Sequence, residues 1–452
     1  MTNFSKELAL ITEQQLSEEQ REAANLVLNK RKNIFIQGQA GTGKSAFIKY
    51  LQGHSEKNIV LCSPTAIAAL NIGGVTLHSL FRLPIMPVIT EEQLMKMNRK
   101  NVWNVIKAID ILIIDEISMV KPDVLDAVDQ VCRKIKRNTK KAFGGIQVIL
   151  IGDLYQLPPV INKEANIELK QIYGVENPYF FDSNVYRNTK FKVIEFTKVF
   201  RQLDKTLLKN LINIRTNSNI SSTLAYFNTC CNLKTQDFKN AITITPYRAV
   251  ADELNQKKLA KITEVTKTFP ATLTGTFEKA SESSYPVQKV LKLKKGALIV
   301  FNKNDTDKRW VNGSMGIIKQ IEPNRLYVEL LSNNETVVVE RETWENKEYK
   351  TEIKDVFNLK TKQWEEKEVI TENITGEFKQ FPIQLGYAMT IHKAQGKTLD
   401  KVNIDLDKGA FAHGQLYVAL SRTRTKEDMN IINKITTHDI IFDKRVADFL
   451  KT

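Results

Sequence analysis

A glycine-rich loop between an apolar run and a helical pattern constrains the fold of this chain more than any other feature. The loop, Gly38-Gln-Ala-Gly-Thr-Gly-Lys-Ser45, has the spacing G-x-x-x-x-G-K-[ST]. It follows the apolar run Asn33–Gln37 and precedes a helical pattern over Ser45–Gln52. A strand, such a loop and a helix in this order form a P-loop, whose backbone N–H groups and helix N-terminus face phosphate oxygens. The sequence therefore predicts an α/β fold that binds a nucleoside triphosphate.

Each residue type of the loop has a chemical reason to stand there. The glycines allow the backbone to curl around phosphate, Lys44 is expected to reach the β- and γ-phosphates, and the Ser45 hydroxyl is expected to ligate Mg²⁺. The residues predicted to bind the nucleotide here are Gly38, Ala40, Gly41, Thr42, Gly43, Lys44 and Ser45.

Two later strand ends supply further candidates for this site. Ile111-Leu-Ile-Ile-Asp-Glu116 predicts a buried strand that ends in two acids. We expect Asp115 to hold Mg²⁺ through water and Glu116 to polarise the attacking water. Gln156, in the loop Gly152–Pro159 after the next buried strand, is a candidate either for sensing the γ-phosphate or for orienting the attacking water.

Alternation of short apolar runs with helical patterns predicts parallel sheets in both halves of the chain. In the first half we predict strands at Asn33–Gln37, Asn58–Cys62, Ile109–Ile114 and Gln147–Ile151. A second α/β region is expected to open with the strand Phe191–Phe196. Short β-rich runs separated by turn pairs predict a small antiparallel barrel from about Val287 to Lys379.

The net charge and the apolar pattern of the sequence limit which partners and which cellular location we expect for the protein. Lys plus Arg number 66 and Asp plus Glu 51, which gives a formal charge of +15 and favours a polyanionic partner such as nucleic acid. The most apolar stretch, Ile109–Val120, contains three acids and is too short to span a bilayer. No C-x-x-C pair is present, so we expect reduced thiols in a cytoplasmic protein without a membrane partner.

Motifs along nearly the whole chain resemble those of superfamily 1 DNA helicases. The closest match is the Pif (petite integration frequency) branch, related to the RecD and Dda helicases. Beside the P-loop, the segments that carry this resemblance are Leu16–Gln20, Ser63–Leu70, Gly74–Phe81, Val199–Gln202, Leu385–Thr398 and Gln415–Arg424.

The resemblance implies two RecA-like P-loop domains with parallel sheets and an ATP site between them. Domain 1 would comprise residues 1–79 and 104–190, and domain 2 residues 191–286 and 380–452. A small wedge insertion would occupy residues 80–103 of the first domain, and an SH3-like β-barrel insertion would occupy residues 287–379 of the second.

The resemblance also assigns roles to residues that match the family motifs. Gln20 would grip adenine, Gly396 would line the nucleotide, and Arg201 and Arg422 would act as arginine fingers. Candidate DNA contacts are Thr65, His78, Ser79, Phe81, Tyr247, His392 and Lys393, with Phe411 as a further stacking candidate.

The function implied is that of an ATP- and Mg²⁺-dependent 5′-to-3′ DNA helicase that translocates on single-stranded DNA. It would unwind duplex or structured DNA, with G-quadruplexes as one candidate substrate, and its partners would be single strands and single-strand/duplex junctions. The family is associated with DNA repair, recombination and telomere maintenance. The expected enzyme is a monomer, associated with the nucleoid of a bacterial or phage-infected cell.

Two other classes of function remain open from the residues alone. A P-loop kinase or phosphotransferase would share the phosphate site, although it leaves the second α/β region and its arginines without a role. A catalytically inactive nucleic-acid-binding scaffold would not need Lys44, Ser45, Asp115 and Glu116 together. RNA is a third possibility within the helicase class, because contacts to phosphates do not by themselves select the sugar.

Overall fold

The computed structural model describes residues 11–200, 204–231, 238–358 and 363–451. The chain divides into two compact units. The first unit comprises Met1–Leu154, Pro158–Val199 and Glu345–Gly376, and the second comprises Tyr155–Leu157, Phe200–Trp344 and Glu377–Thr452.

The first unit alternates strands and helices from its first helix onward. Its elements up to Phe196 are α1 (Glu18–Leu28), β1 (Ile34–Gly38), α2 (Lys44–Gly53), β2 (Ile59–Ser63), α3 (Ala66–Ile72), β3 (Val75–Thr76), α4 (Leu77–Phe81), α5 (Glu91–Lys96), α6 (Trp103–Ala108), β4 (Ile111–Ile114), α7 (Pro122–Ile135), β5 (Gln147–Gly152), α8 (Lys163–Tyr173), α9 (Asn184–Arg187) and β6 (Lys192–Phe196).

These strands form one six-stranded sheet in the order β3-β2-β4-β5-β1-β6, and every pair in it is parallel. The central strands β1, β4 and β5 are buried throughout, as expected for strands covered on both faces. On one face, Phe47 and Leu51 of α2 pack with Ile36, Ile113 and Ile151 of the sheet. All five are nearly inaccessible to solvent, and each such side chain contributes about 1.5–3 kcal/mol by burial.

One strand differs from its predicted position. We expected Phe191–Phe196 to open the second α/β region, but β6 pairs in parallel with β1, from Ile34 opposite Lys192 to Gly38 opposite Phe196. Its inward residues Ile194 and Phe196 join the core of the first sheet. The strands of the second unit therefore follow β6 in the chain.

The remaining elements follow in chain order. They are α10 (Lys205–Thr216), α11 (Ile220–Asn228), β7 (Ile242–Thr245), α12 (Arg248–Ala260), β8 (Lys267–Pro270), β9 (Thr272–Leu273), β10 (Val290–Leu293), β11 (Leu298–Phe301), β12 (Met315–Ile321), β13 (Leu326–Leu330), β14 (Thr336–Val339), β15 (Glu342–Asn358), β16 (Gln363–Gln380), β17 (Ile383–Leu385), β18 (Ala388–Thr390), α13 (Ile391–Ala394), β19 (Val402–Ile404), α14 (Gln415–Leu420), β20 (Met429–Ile431) and α15 (Lys444–Lys451).

The second unit contains a parallel sheet and an antiparallel sheet. The parallel sheet has four strands in the order β18-β7-β19-β20. The antiparallel sheet has five strands in the order β14-β13-β12-β11-β17. Leu298, Val300 and Met315 of the antiparallel sheet belong to the same apolar cluster as Ile244 and Val402 of the parallel sheet, so the two sheets share a core.

The two longest strands, β15 and β16, pair to form an arm, most of which belongs to the first unit. The pairing of β3 with β2 covers Cys62 and Ser63. The arm contacts β2 at the part of its edge that β3 leaves unpaired. There the Tyr349 hydroxyl accepts a hydrogen bond from the Leu61 N–H at 3.3 Å. The predicted short runs between residues 287 and 379 did not include this arm.

Within the described ranges, no helix is both long enough and apolar enough to cross a bilayer.

Candidate nucleotide and nucleic-acid sites

The phosphate-binding loop joins the end of β1 to the start of α2 and needs its glycines. Gly41 and Gly43 have φ values of +83° and +81°, in the left-handed region that side chains with a Cβ rarely adopt. At Gly38, an added Cβ would lie 2.7 Å from Oγ1 of Thr42. The backbone therefore takes a path that other residues would obstruct, and α2 begins directly at Lys44.

The Lys44 ammonium lies over this loop. Its Nζ donates to the carbonyl oxygens of Gly38 at 2.7 Å and Gln39 at 3.1 Å. Both acceptors are neutral, whereas a phosphate oxygen is charged and forms a stronger, charge-assisted hydrogen bond. A nucleotide phosphate can therefore replace them as the partner of Lys44.

Asp115 follows β4 at the carboxyl edge of the sheet and is buried. Its backbone N–H donates to the Cys62 carbonyl at 2.9 Å. Desolvation raises the pKa of the Asp115 carboxyl above its usual value, while a backbone hydrogen bond from Glu116 and the charge of Lys44 act in the opposite direction. Ser45 is exposed in the first turn of α2. A carboxylate and a hydroxyl beside a phosphate loop are oxygen donors that suit Mg²⁺.

Gln20 stabilises the phosphate loop from α1. Its Oε1 accepts from the Ser17 N–H at 2.9 Å in a capping box, and its Nε2 donates to the Thr42 carbonyl at 3.2 Å. The side chain is 2% exposed. Gln20 thus fixes the loop backbone, and its predicted contact with adenine remains a prediction.

Sequence reasoning missed a second fixed point at this sheet edge. Gln37, on β1, donates from Nε2 to Oδ1 of Asp153 at 2.9 Å and accepts from the Leu154 N–H at 3.1 Å. These bonds tie the end of β1 to the loop after β5. The signal was a glutamine inside the apolar run Ile34–Gln37, where a buried amide needs partners.

The two other candidates for positioning the attacking water lie in different units. Glu116 is partly buried in the first unit and adopts a left-handed conformation with φ of +52°. Gln156 is 5% exposed and belongs to the short stretch Tyr155–Leu157 of the second unit.

Arg422 is fully buried at the end of α14, as the apolar neighbours in its sequence predicted. Its Nε donates to the Val418 carbonyl at 2.7 Å, and Nη1 donates to the carbonyls of Ala394 and Lys397 at 3.0 and 3.1 Å. Nη2 donates to the Ser421 hydroxyl at 2.7 Å. The guanidinium therefore holds the segment after α13, which includes the predicted nucleotide-lining residue Gly396. The other predicted arginine, Arg201, lies outside the described residues.

The candidate DNA contacts of the first unit lie around a groove with a volume of ≈ 170 Å³. Thr65 and His78 line it together with Pro64 and Lys121. Desolvation and the charge of Lys121 lower the pKa of His78, which favours the neutral ring. Ser79 is exposed on α4.

Phe81 does not fit the predicted stacking role, because its side chain is fully buried. A ring must present a face to the solvent to stack on a base. Phe81 instead packs in the core of the first unit.

In the second unit, Tyr247 and Phe411 form an aromatic pair with ring centroids 5.5 Å apart. The Tyr247 hydroxyl donates to the Gly409 carbonyl at 3.2 Å, and Phe411 is 53% exposed. Lys393 is exposed on α13, and desolvation lowers the pKa of the neighbouring His392. Exposed rings and cations suit contacts that do not depend on base sequence.

Comparisons with known proteins agree with these features. Residues 15–223 match the family model of the PIF1-like helicases. The chain is 30% identical to the ATP-dependent DNA helicase RRM3 of Saccharomyces cerevisiae, over 96% of this chain and 67% of that protein. It is also 30% identical to the ATP-dependent DNA helicase Pif1 of Campylobacter jejuni, over 93% of this chain and 92% of the relative. Of the zebrafish PIF1 helicase it spans 63%.

Solved structures extend the likeness to the whole fold. The structure of a Bacteroides Pif1 in complex with ADP-AlF4 matches with a TM-score of 0.84 and 35% identity, covering 96% of both chains. A Bacteroides Pif1 bound to single-stranded DNA matches with a TM-score of 0.68 and 36% identity, again over 96% of both chains. The predicted α/β fold with two RecA-like domains is thereby confirmed, and the chain belongs to the PIF1-like helicase family.

Proposed function

We propose that this chain is an ATP-dependent DNA helicase that moves 5′ to 3′ on single-stranded DNA and unwinds duplex or structured DNA. The observation that carries the proposal is the phosphate loop, in which Lys44 bonds the loop carbonyls and Asp115 lies at the same edge of the sheet. Curated relatives with this whole-chain similarity are named ATP-dependent DNA helicases.

For ATP hydrolysis, we assign each of these residues a separate task. Lys44 binds phosphate oxygens, and Gln20 and Gln37 keep the surrounding backbone in place. Ser45 and Asp115 would hold Mg²⁺, which supplies positive charge to the phosphates when bound. Glu116 orients and polarises the attacking water, with Gln156 as a second residue that senses the γ-phosphate.

The second unit contributes cations to the same reaction in this proposal. Arg422 and Arg201 stabilise the charge that develops on the transferred phosphoryl group, a role that elsewhere accounts for roughly 10³–10⁵ in rate. The Arg422 guanidinium donates to three backbone carbonyls and to the Ser421 hydroxyl, and these bonds fix its orientation within the second unit. Gly396 lies on the segment that these bonds hold.

For the DNA strand, we propose a path along Thr65, His78 and Ser79 in the first unit and along Tyr247, His392 and Lys393 in the second. Hydroxyl and imidazole groups contact phosphates without reading sequence. The exposed ring of Phe411, beside Tyr247, offers a stacking surface. Single strands and single-strand/duplex junctions are the proposed partners, with a single chain as the translocating unit and a nucleoid-associated location.

The test of polarity uses two partial duplexes of identical sequence that carry either a 5′ or a 3′ single-stranded tail. With ATP and Mg²⁺, the 5′-tailed duplex should be unwound and the 3′-tailed duplex should not. A blunt duplex measures background, and an RNA tail of the same sequence measures sugar preference. Equal or faster unwinding from the 3′ tail would refute the proposed direction.

A further inference from the structure

Lys397 lies in the segment that connects α13 to β19 and makes contacts on two sides. Its backbone carbonyl accepts a hydrogen bond from Nη1 of Arg422 at 3.1 Å. Its side chain reaches the loop between β11 and β12, where Nζ donates to Oδ1 of Asn302 at 3.1 Å and to Oδ1 of Asn312 at 2.5 Å. Lys397 thus connects the antiparallel sheet with Arg422, which follows α14.

The same loop approaches the Lys397 segment closely at a second point. Gly313 has φ of +105°, and a Cβ added there would lie 2.3 Å from the Thr398 carbonyl oxygen. Leu399 belongs to the apolar cluster that includes Val300 of β11 and Met315 of β12. The segment is therefore packed against the antiparallel sheet by apolar contacts as well as by the lysine.

The ammonium of Lys397 donates to side-chain amides. Both acceptors are neutral amide oxygens, and the cation that acts on the ammonium is Lys393 in α13. Desolvation, with the like charge of Lys393, lowers the pKa of Lys397 to about 8. A hydrogen bond from an ammonium is stronger than one from a neutral amine. Protonation of Lys397 therefore strengthens the attachment of the segment between α13 and β19 to the antiparallel sheet.

We propose that Lys397 is a positioning residue for ATP hydrolysis: by binding Asn302 and Asn312, it fixes the segment whose carbonyls hold Arg422. The antiparallel sheet then fixes the position of Arg422 through this side chain in addition to the apolar contacts of the segment. This inference rests on the proposed role of Arg422 in hydrolysis.

The first test replaces the ammonium with an uncharged chain of similar length, in Lys397→Met. Displacement of a reacting group by about 1 Å costs up to roughly 100-fold in rate, so DNA-stimulated kcat at pH 7 should fall between about tenfold and 100-fold. The matched control is Lys434→Met, which changes an exposed lysine of the same unit. Its kcat should stay within twofold of the wild type.

The second test distinguishes positioning by charge from simple packing. As pH rises through about 8, the wild type should lose kcat because Lys397 becomes neutral, and this alkaline decline should be absent in Lys397→Met. Asn312→Asp places a carboxylate beside the ammonium, which raises a lysine pKa by about one unit or more. The decline should then move to higher pH by a similar amount in Asn312→Asp, and the double variant with Lys397→Met should show no such decline.

Two results would overturn the inference. One is a kcat of Lys397→Met within twofold of the wild type, and the other is an alkaline decline of kcat whose pH does not change in Asn312→Asp.

Arg422→Ala separates this failure from failure of the proposed function. If Arg422→Ala is inactive while Lys397→Met is fully active, the arginine acts without Lys397 and only the inference fails. If Arg422→Ala keeps its ATPase, the role proposed for the arginine is wrong, and the inference that rests on it falls as well. Thermal unfolding of each variant checks that the fold is retained.

Discussion

Gln37 at the end of β1 donates a hydrogen bond of 2.9 Å from its Nε2 to Oδ1 of Asp153, in the loop that follows β5. The same side chain accepts from the Leu154 N–H, so both ends of the amide are used. The bond fixes the loop after β5 relative to the strand that leads into the phosphate site. It is a point of rigidity that no sequence motif marks.

Gln37→Met should therefore impair catalysis as well as stability. Loss of the amide removes two hydrogen bonds, which together contribute about 1–3 kcal/mol to the free energy of unfolding, and ATPase should fall because the strand end is no longer fixed. Gln147 provides the control, since its Nε2 donates to the carbonyls of Val27 and Lys32 at the opposite end of β5. Gln147→Met should lose similar stability and keep its kcat. Equal losses of kcat in both variants would show that the contacts of Gln37 with the loop after β5 have no specific effect on catalysis.

Asp115→Asn should stabilise the protein while abolishing hydrolysis. The pKa of this carboxyl is raised in the folded state, so folding penalises its ionised form. That penalty is present at pH values above the folded-state pKa and disappears as pH falls below it. At pH 7.5, without nucleotide, the melting temperature of Asp115→Asn should exceed that of the wild type. A lower melting temperature for Asp115→Asn than for the wild type would contradict this expectation.

Gly313→Ala should damage the contact between the antiparallel sheet and the Lys397 segment. Gly296 is a matched control, because it has a similar positive φ of +83° but an added Cβ would meet no atom within 4 Å. Gly296→Ala should cost only the backbone strain of about 1–2 kcal/mol. Gly313→Ala adds a clash with the Thr398 carbonyl and should lose more stability and much of its DNA-stimulated ATPase. Identical melting temperatures for the two variants would be inconsistent with the close approach at Gly313.

Asn58→Ala should loosen the arm formed by β15 and β16. The Asn58 side chain donates to the Ala108 and Glu368 carbonyls, both at 3.1 Å, and accepts from the Ile370 N–H at 3.2 Å. Without it, amide hydrogen exchange at Ile370 should become several-fold faster, because unpaired edge amides exchange through local opening. Asn373→Ala, in the same arm, serves as the control and should leave exchange at Ile370 unchanged. Unaltered exchange in Asn58→Ala would show that the arm is held by other contacts.

Much of the α/β framework follows from the sequence because its strands are buried on both faces and read as apolar runs. The predicted strands at Ile109–Ile114 and Gln147–Ile151 are confirmed as β4 and β5, with end shifts of a few residues. The assignment of β6 to the second α/β region was wrong, since an alternating pattern with Ile194 and Phe196 inward does not indicate which sheet the strand joins. The arm escaped prediction because its strands are rich in Lys and Glu and lack an apolar periodicity.

The candidate site also contains residues that the sequence predicts and residues that it does not. The phosphate loop and Asp115 belong to motifs whose chemistry fixes their spacing, so they could be predicted from the sequence. Gln37 with Asp153 and Lys397 with Asn312 are pairs distant in the chain, and only the fold brings them together. The motif predicts a stacking role for Phe81, but a motif alone does not show which face of a short helix is buried.

The central claim is that the Lys44 loop binds and hydrolyses ATP to drive movement on DNA. Its most direct test is Lys44→Ala, measured for DNA-stimulated ATPase, for unwinding of a 5′-tailed duplex and for equilibrium binding of single-stranded DNA. We predict that hydrolysis and unwinding are abolished and that the affinity for single-stranded DNA stays within a few-fold of the wild type, because Lys44 contacts its own loop and, when bound, the phosphates of ATP. A Lys44→Ala variant that keeps a tenth or more of the wild-type turnover would contradict the claim.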